Sequence, residues 1–242
     1  MAVSRRAASC LLLIAAVFHV ITVPASAEFV RCSSRSNAHM GLVKGKGKVQ
    51  NLYHILHGRR VNVTGFKSPQ HIYDYGISPD SRYLFVWHMD FSPRKVSVYD
   101  LDSGKPVSRF QPGHGGELCW NSKNQIIHFF GCGSGCLGCG TYSQEGRPLF
   151  EVYSGGMDLS PSGRYLATFP VSFMPPREIS IYDLYDSRND SGFTTVAPIL
   201  RVEAVGAVDR IDWLQEQKVT IVYVDSDQTR REVTLNLQSK DS

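Results

Sequence analysis

The chain lacks an excess of charge of either sign, and it lacks any long stretch with helical periodicity. Its 26 basic and 22 acidic residues nearly balance, so no electrostatic argument favours a nucleic-acid partner. After the N-terminal segment, no region sustains apolar residues at a 3.6-residue period with good caps. The one exception is residues 48–58, which could form a short helix or a distorted strand. We therefore expect an all-β protein that does not bind nucleic acid.

The first 27 residues have the pattern of a secretory signal peptide. Arg5 and Arg6 precede an apolar run, and a short Ala-Ser-Ala sequence ending at Ala27 fits a signal-peptidase site. Cleavage there leaves 215 residues with a net charge of +2 and no second apolar segment long enough to span a membrane. An uncleaved signal anchor is the alternative. The sequence predicts an exported protein, periplasmic or extracellular, with a single domain over residues 28–242.

An internal repeat is the most informative feature that is present. The segment ISPDSRYL, which begins at Ile77, returns as LSPSGRYL at Leu159. Half of this interval is about 41 residues, the period of a propeller built of four-stranded blades. Less regular copies begin at Leu118 and Ile211. Each copy alternates tight turns with segments of period-two hydrophobicity, which predicts strands joined by short turns.

These repeats resemble a known family. The segments SPDSRYL and VYDLDSGKPVSRF, and later SPSGRYL and IYDL, resemble the blades of TolB-type and WD-type β-propellers, in which a Ser-Pro-Asp-Gly turn joins the first two strands. The resemblance covers about Tyr75 to Leu237 and implies a small propeller of four or five four-stranded blades. Residues 28–74 would then supply a degenerate blade or a closing segment. A β-sandwich of two sheets is the alternative fold.

Motifs of common catalytic sites are missing. No Gly-x-Ser-x-Gly elbow of a serine hydrolase occurs. Four aspartates recur with the repeat: Asp80, Asp100, Asp158 and Asp183. This recurrence favours turn capping over a pair of catalytic carboxylates. Because propellers host many unrelated activities, the resemblance names no reaction, and we expect a binding or scaffold protein rather than an enzyme.

The repeat also predicts where the loops lie. In a blade with strands A to D, the B–C loop and the D–A connection open on one face, and the A–B and C–D turns open on the other. Alignment of the repeats places five candidate binding residues on the first of these faces: His88, Phe91, His114, Phe173 and Met174. Because binding groups favour loops held by a rigid scaffold, we expect this face to recognise a protein, a peptide or an envelope component.

The segment FFGCGSGCLGCGTY contains Cys132, Cys136 and Cys139 in what the alignment makes a B–C loop. Disulfides are the default in an exported protein, so we expect Cys132 to pair with Cys139, and Cys136 with Cys119 or Cys32. Five cysteines remain after cleavage, so at least one is left over. The alternative is a metal-binding or thiol-redox protein that uses this loop, with zinc as the expected ion. No other cofactor is predicted, and the oligomeric state is left open.

Overall fold

The structure is a computed structural model that describes residues 40–44, 49–56, 59–67, 71–89, 93–113, 115–169, 178–185, 197–203, 207–225 and 227–237. All regular structure in these ranges is β-strand, which confirms the all-β class. The segment Gln50–Leu56, for which a helix was one expectation, is a strand. Within the described ranges, no helix is long and apolar enough to cross a membrane.

The strands follow one another along the described chain with these bounds: β1 (Met40–Lys44), β2 (Gln50–Leu56), β3 (Arg59–Asn62), β4 (His71–Ile77), β5 (Tyr83–Met89), β6 (Lys95–Asp100), β7 (Pro106–Phe110), β8 (Gly116–Trp120), β9 (Ile126–Gly133), β10 (Cys136–Tyr142), β11 (Pro148–Ser154), β12 (Gly156–Leu159), β13 (Tyr165–Phe169), β14 (Glu178–Asp183), β15 (Leu200–Glu203), β16 (Ala207–Gln215), β17 (Lys218–Val224) and β18 (Arg230–Asn236).

Consecutive strands form five antiparallel meanders, which we call blades 1 to 5. Blade 1 contains β1 to β3, blade 2 contains β4 to β7, and blade 3 contains β8 to β11. Blade 4 contains β12 to β15, and blade 5 contains β16 to β18. Blades 2, 3 and 4 have the four strands that the repeat predicts. The described residues form five sheets, which contradicts the alternative of a two-sheet sandwich.

Neighbouring blades pack face to face through apolar clusters. Along β5, Leu84 packs with Leu52 of blade 1, while Phe85 packs with Ile126 of blade 3. Successive side chains of a strand point to opposite faces, so one strand contributes to the cores on both of its sides. Similar clusters join blade 3 to blade 4 and blade 4 to blade 5. This packing of consecutive meanders is the arrangement of a propeller.

The repeated Ser-Pro sequence forms the predicted turn between the first two strands of a blade. Ser78 Oγ accepts a hydrogen bond from the Tyr83 amide at 2.8 Å and donates to Asp80 Oδ1 at 2.6 Å. Asp100 accepts from the Ser103 amide in the next turn. The turn-capping role is therefore confirmed for these two aspartates. For Asp158 it is wrong, because this residue lies within β12 rather than in a turn.

Hydrogen bonds link the turns of blades 2 to 5 on one side of the molecule. Asn124 Nδ2 donates to Asp80 Oδ2 at 2.7 Å, which joins the turns of blades 3 and 2. The Ser122 amide donates to the Ser162 carbonyl oxygen at 3.1 Å, and the Ser162 amide donates to Glu216 Oε2 at 3.0 Å. We call this side, which carries the A–B and C–D turns, the turn face. The opposite side is the loop face.

Candidate functional site

The loop face carries the connections on which the sequence places the candidate residues. Arg94 precedes β6, and Gly115 precedes β8. A Cβ atom built on Gly115 would lie 2.2 Å from a guanidinium nitrogen of Arg94. The β5–β6 and β7–β8 connections therefore lie against each other, as the strand order of a propeller requires.

Of the five residues expected on this face, four lie outside the described residues: Phe91, His114, Phe173 and Met174. His88 is described, and it lies in β5 rather than in the loop, with its side chain fully buried. Its Nε2 is 2.8 Å from Ser97 Oγ, and its ring centroid is 4.6 Å from that of Phe66. The expected loop boundary is thus corrected: β5 continues to Met89, and strand alternation turns His88 towards blade 1.

The cysteine-rich segment is a long hairpin rather than an open loop. Strands β9 and β10 continue to a two-residue turn at Ser134 and Gly135, and a disulfide joins Cys132 to Cys136 across it, with a Cα–Cα distance of 5.2 Å. The expected pairings, of Cys132 with Cys139 and of Cys136 with Cys119 or Cys32, are both wrong. In the observed register Cys139 lies opposite Phe129, because the strands extend further than the glycines suggest.

The other described cysteines lie on β8 and β10, further from the turn of this hairpin. Cys139 is a free thiol that is completely buried in the cluster between blades 3 and 4, and burial raises the pKa of this thiol above its usual range. Cys119 is disulfide-bonded to a partner outside the described residues. Cys132 and Cys136 are bonded to each other, so neither sulfur is available as a thiolate ligand. The described cysteines therefore provide a stapled hairpin and an inert thiol.

A series of aromatic rings connects blades 2 and 3 at the loop face, and we call it the aromatic row. It runs from Tyr73 through Trp87, His128 and Phe130 to Tyr153, with consecutive ring centroids 6.0, 6.0, 4.9 and 5.9 Å apart. The three central rings are buried, whereas Tyr73 is 37% exposed and Tyr153 is 55% exposed. The two terminal tyrosines are thus exposed to solvent, and the three buried rings between them are held by packing between the blades.

Arg94 adds a positive charge to the Tyr73 end of the aromatic row. Its guanidinium carbon lies 4.5 Å from the ring centroid of Tyr73 and 5.4 Å from that of Trp87. The Tyr73 hydroxyl donates to Met89 Sδ at 3.6 Å, and the His71 ring meets the Tyr73 ring edge-on at 4.5 Å. Such cation–π contacts hold both partners in place. The exposed surface here combines aromatic area, a thioether and a guanidinium group.

A glycine makes the Tyr153 end of the row possible. Gly138 of β10 lies between Phe130 of β9 and Tyr153 of β11 in the sheet register. A Cβ atom on Gly138 would lie 2.3 Å from the Phe130 ring, so only glycine allows that ring to lie across the strand. Neither residue is among the binding residues that the sequence predicts, although the repeat alignment places Phe130 on the second strand of its blade. The contact of Phe130 with Tyr153 spans three strands, and no short sequence pattern reveals it.

Carboxylates on the first strands of the blades form a second group, of which only Asp158 is among the residues that the sequence singles out. The pKa of Asp74 is raised by desolvation and by the nearby charge of Glu117. Burial raises the pKa of Asp158 to about 6, and the charge of Asp212 adds to this shift. Arg210 Nε donates to Asp212 Oδ2 at 2.7 Å. The carboxylates form pairs only, and the described residues contain no group of three or more His, Cys, Asp or Glu side chains that could hold a metal ion.

No protein-family model matches the chain, and no curated protein matches it. Among solved structures, a eukaryotic initiation factor is 14% identical over 82% of this chain and 52% of that chain, with a TM-score of 0.49. Sqt1 from Chaetomium thermophilum is 15% identical over 84% of this chain and 55% of that chain, with a TM-score of 0.41. A functionally unknown protein from Desulfotomaculum acetoxidans is 13% identical over 83% and 67%, with a TM-score of 0.44. The chain spans about half the length of the first two, and at this level of identity the likeness concerns the fold alone.

Proposed function

We propose that the protein is an exported propeller module that binds a protein or peptide partner on its loop face, through the aromatic row and Arg94. The observation that supports this most strongly is the aromatic row itself, in which buried rings hold two exposed tyrosines. Tyrosine and arginine are enriched among the residues that dominate binding energy at interfaces, and tyrosine offers a large contact area at a low cost in conformational entropy. The loop face therefore has the chemistry of an interaction surface rather than of a reaction centre.

The proposal keeps three predictions of the sequence analysis. Residues 1–27 act as a cleaved signal peptide, and a TolB-type or WD-type ancestry accounts for the repeated turns. Four loop residues extend the binding face around the aromatic row: Phe91, His114, Phe173 and Met174. The disulfide between Cys132 and Cys136 supports export, because such bonds persist in oxidising compartments.

Affinity purification after chemical cross-linking in the native host tests the proposal. The wild-type chain is compared with a double variant, Tyr73→Ser with Tyr153→Ser, and with Leu214→Ser as a control. Leu214 is 56% exposed on β16 and lies outside the aromatic row. We expect the wild type and the control to recover the same partner, and the double variant to recover at least tenfold less of it. Equal recovery by the double variant, with an unchanged circular dichroism spectrum, would contradict the proposal.

Metal analysis and a thiol count on the purified protein separate this function from the alternative. The structure leads us to expect slow labelling of Cys139, because its thiol is buried, and no bound zinc or iron at stoichiometric levels. Stoichiometric metal, or several thiols that react rapidly without denaturant, would favour a metal-dependent or thiol-redox protein instead.

A further inference from the structure

A groove with a volume of about 1000 Å³ lies between blades 1 and 2. One wall is the chain segment that runs from β3 to Phe66 of blade 1. The other wall is formed by β6 and β7 of blade 2. The groove shares no lining residue with the aromatic row. It is therefore a separate feature, and a ligand bound there would be independent of a partner bound to the aromatic row.

The lining of the groove is positively charged. It includes Arg60 and Arg109 and no aspartate or glutamate. The guanidinium carbon of Arg60 lies 4.2 Å from the ring centroid of Tyr53, and neither arginine forms an ion pair with a residue in the described part of the chain. Six other arginines do pair with carboxylates there: Arg82, Arg164, Arg201, Arg210, Arg230 and Arg231. The two groove arginines thus leave a positive potential that an anionic ligand would neutralise.

The blade 1 wall of the groove is held in shape by internal hydrogen bonds. Asn51 Oδ1 accepts from the Phe66 amide at 2.7 Å and from Thr64 Oγ1 at 3.0 Å. Thr64 Oγ1 in turn accepts from the Leu52 amide at 2.8 Å. These bonds fix the segment that follows β3. A ligand would therefore meet a wall that is already formed, which lowers the entropic cost of binding.

The blade 2 wall offers hydroxyl groups and a strand edge. Ser97 and Tyr99 of β6 line this wall, and Ser97 Oγ lies 2.8 Å from His88 Nε2. β7 is the edge strand of blade 2, and its residues Val107 and Arg109 are exposed. An edge strand presents unpaired N–H and C=O groups, to which an extended peptide can add as a further strand.

We propose that this groove binds an extended, acidic peptide segment. Its backbone pairs with the free edge of β7, and its carboxylates form ion pairs with Arg60 and Arg109. Charge complementarity favours this occupant, since the lining carries cationic side chains and no anionic ones. Guanidinium groups bind carboxylates in bidentate fashion. The volume accommodates several peptide residues, more than a single inorganic anion needs.

Fluorescence anisotropy with the whole secreted chain tests this inference. The probe is a fluorescein-labelled octapeptide of alternating Glu and Val, and a peptide of alternating Lys and Val is its control. We expect saturable binding of the acidic peptide alone. The double variant Arg60→Gln with Arg109→Gln should lower its affinity at least tenfold, whereas Arg201→Gln with Arg230→Gln, which changes the net charge equally, should not. A third peptide, Glu–Val with N-methyl groups at alternate residues, should bind at least fivefold more weakly.

Several results would overturn the inference. Equal loss of affinity in both double variants would mean that only the net charge of the protein matters. Equal binding of the Lys–Val peptide would remove the charge argument. Full displacement of the probe by millimolar inorganic phosphate would point to an anion site, and unchanged binding of the N-methylated peptide would exclude strand pairing. Circular dichroism and thermal melting confirm that each variant is folded before it is scored.

Discussion

The turn face and the loop face differ in the groups that they leave exposed after joining neighbouring blades. On the turn face, Asp80, Ser162 and Glu216 form hydrogen bonds with neighbouring blades, so their polar atoms are used for cohesion. On the loop face, Tyr73 and Tyr153 lie at the ends of a packed aromatic row and remain exposed. Both faces therefore join neighbouring blades, and the difference is that the loop face also leaves two packed tyrosines exposed.

The largest effect on stability is expected at Gly116 of β8, where the neighbouring strand β9 leaves no room for an added Cβ atom. A Cβ atom on Gly116 would lie 1.7 Å from the Phe129 carbonyl oxygen, and a backbone atom cannot move away as a side chain does. We expect Gly116→Ala to lower the free energy of unfolding by about 4 kcal/mol. Gly131→Ala is the matched control, since nothing lies within 4 Å of its added Cβ atom. Urea unfolding midpoints that are equal for the two variants would contradict the close approach of β8 and β9.

The next effect concerns the hydrogen bonds of the turn face. Glu216 accepts from Ser160 Oγ at 2.7 Å, from Ser162 Oγ at 2.5 Å and from the Ser162 amide. Glu216→Ala removes all three bonds between blades 4 and 5, and we expect a loss of about 3 kcal/mol in urea unfolding. The exposed Glu232 of β18 is the control, and its substitution by alanine should cost less than about 0.5 kcal/mol. An equally small loss of unfolding free energy for Glu216→Ala would contradict a stabilising role for these hydrogen bonds between blades 4 and 5.

The disulfide of the loop-face hairpin should matter less, because it closes a short loop. Replacement of both Cys132 and Cys136 by serine should lower the free energy of unfolding by about 2 kcal/mol. Ser134→Ala, in the same exposed turn, should leave it unchanged. The comparison is made by thermal melting without reductant, since Cys119 is also disulfide-bonded. If the double serine variant melts at the same temperature as the wild type, the disulfide does not contribute to stability.

The smallest stability effect concerns Asp158 and depends on pH. Burial raises the pKa of Asp158 to about 6, so the folded chain binds this proton more tightly than the unfolded chain does. The ionised carboxylate therefore destabilises the fold above pH 6, and this penalty disappears as the pH falls towards 4. We expect Asp158→Asn to stabilise the protein by about 1.5 kcal/mol at pH 8 and not at pH 4. Stabilisation that is equal at both pH values would contradict the proposed cause.

The sequence predicts the turns better than the contacts between strands and blades. Turn chemistry such as Ser78 with Asp80 is local, so the repeat reveals it. The register of the cysteine hairpin depends on how far β9 and β10 extend, and the glycines around Cys132 suggested a loop where a strand continues. The contact between Trp87 and His128 joins two blades, and such long-range packing leaves no short pattern in the chain. The fold class was therefore predictable, whereas the aromatic row and the disulfide pairing required the structure.

Site-specific photo-cross-linking on one blade tests the central claim most directly. Benzoylphenylalanine is placed at Tyr153 on the loop face or at the exposed Glu145, in the turn between β10 and β11 on the turn face. Both positions belong to blade 3, so blade identity and expression are matched. We predict a discrete protein adduct from position 153 in the native host, and none from position 145. The same adduct from both positions, or from position 145 alone, would contradict the assignment of binding to the loop face.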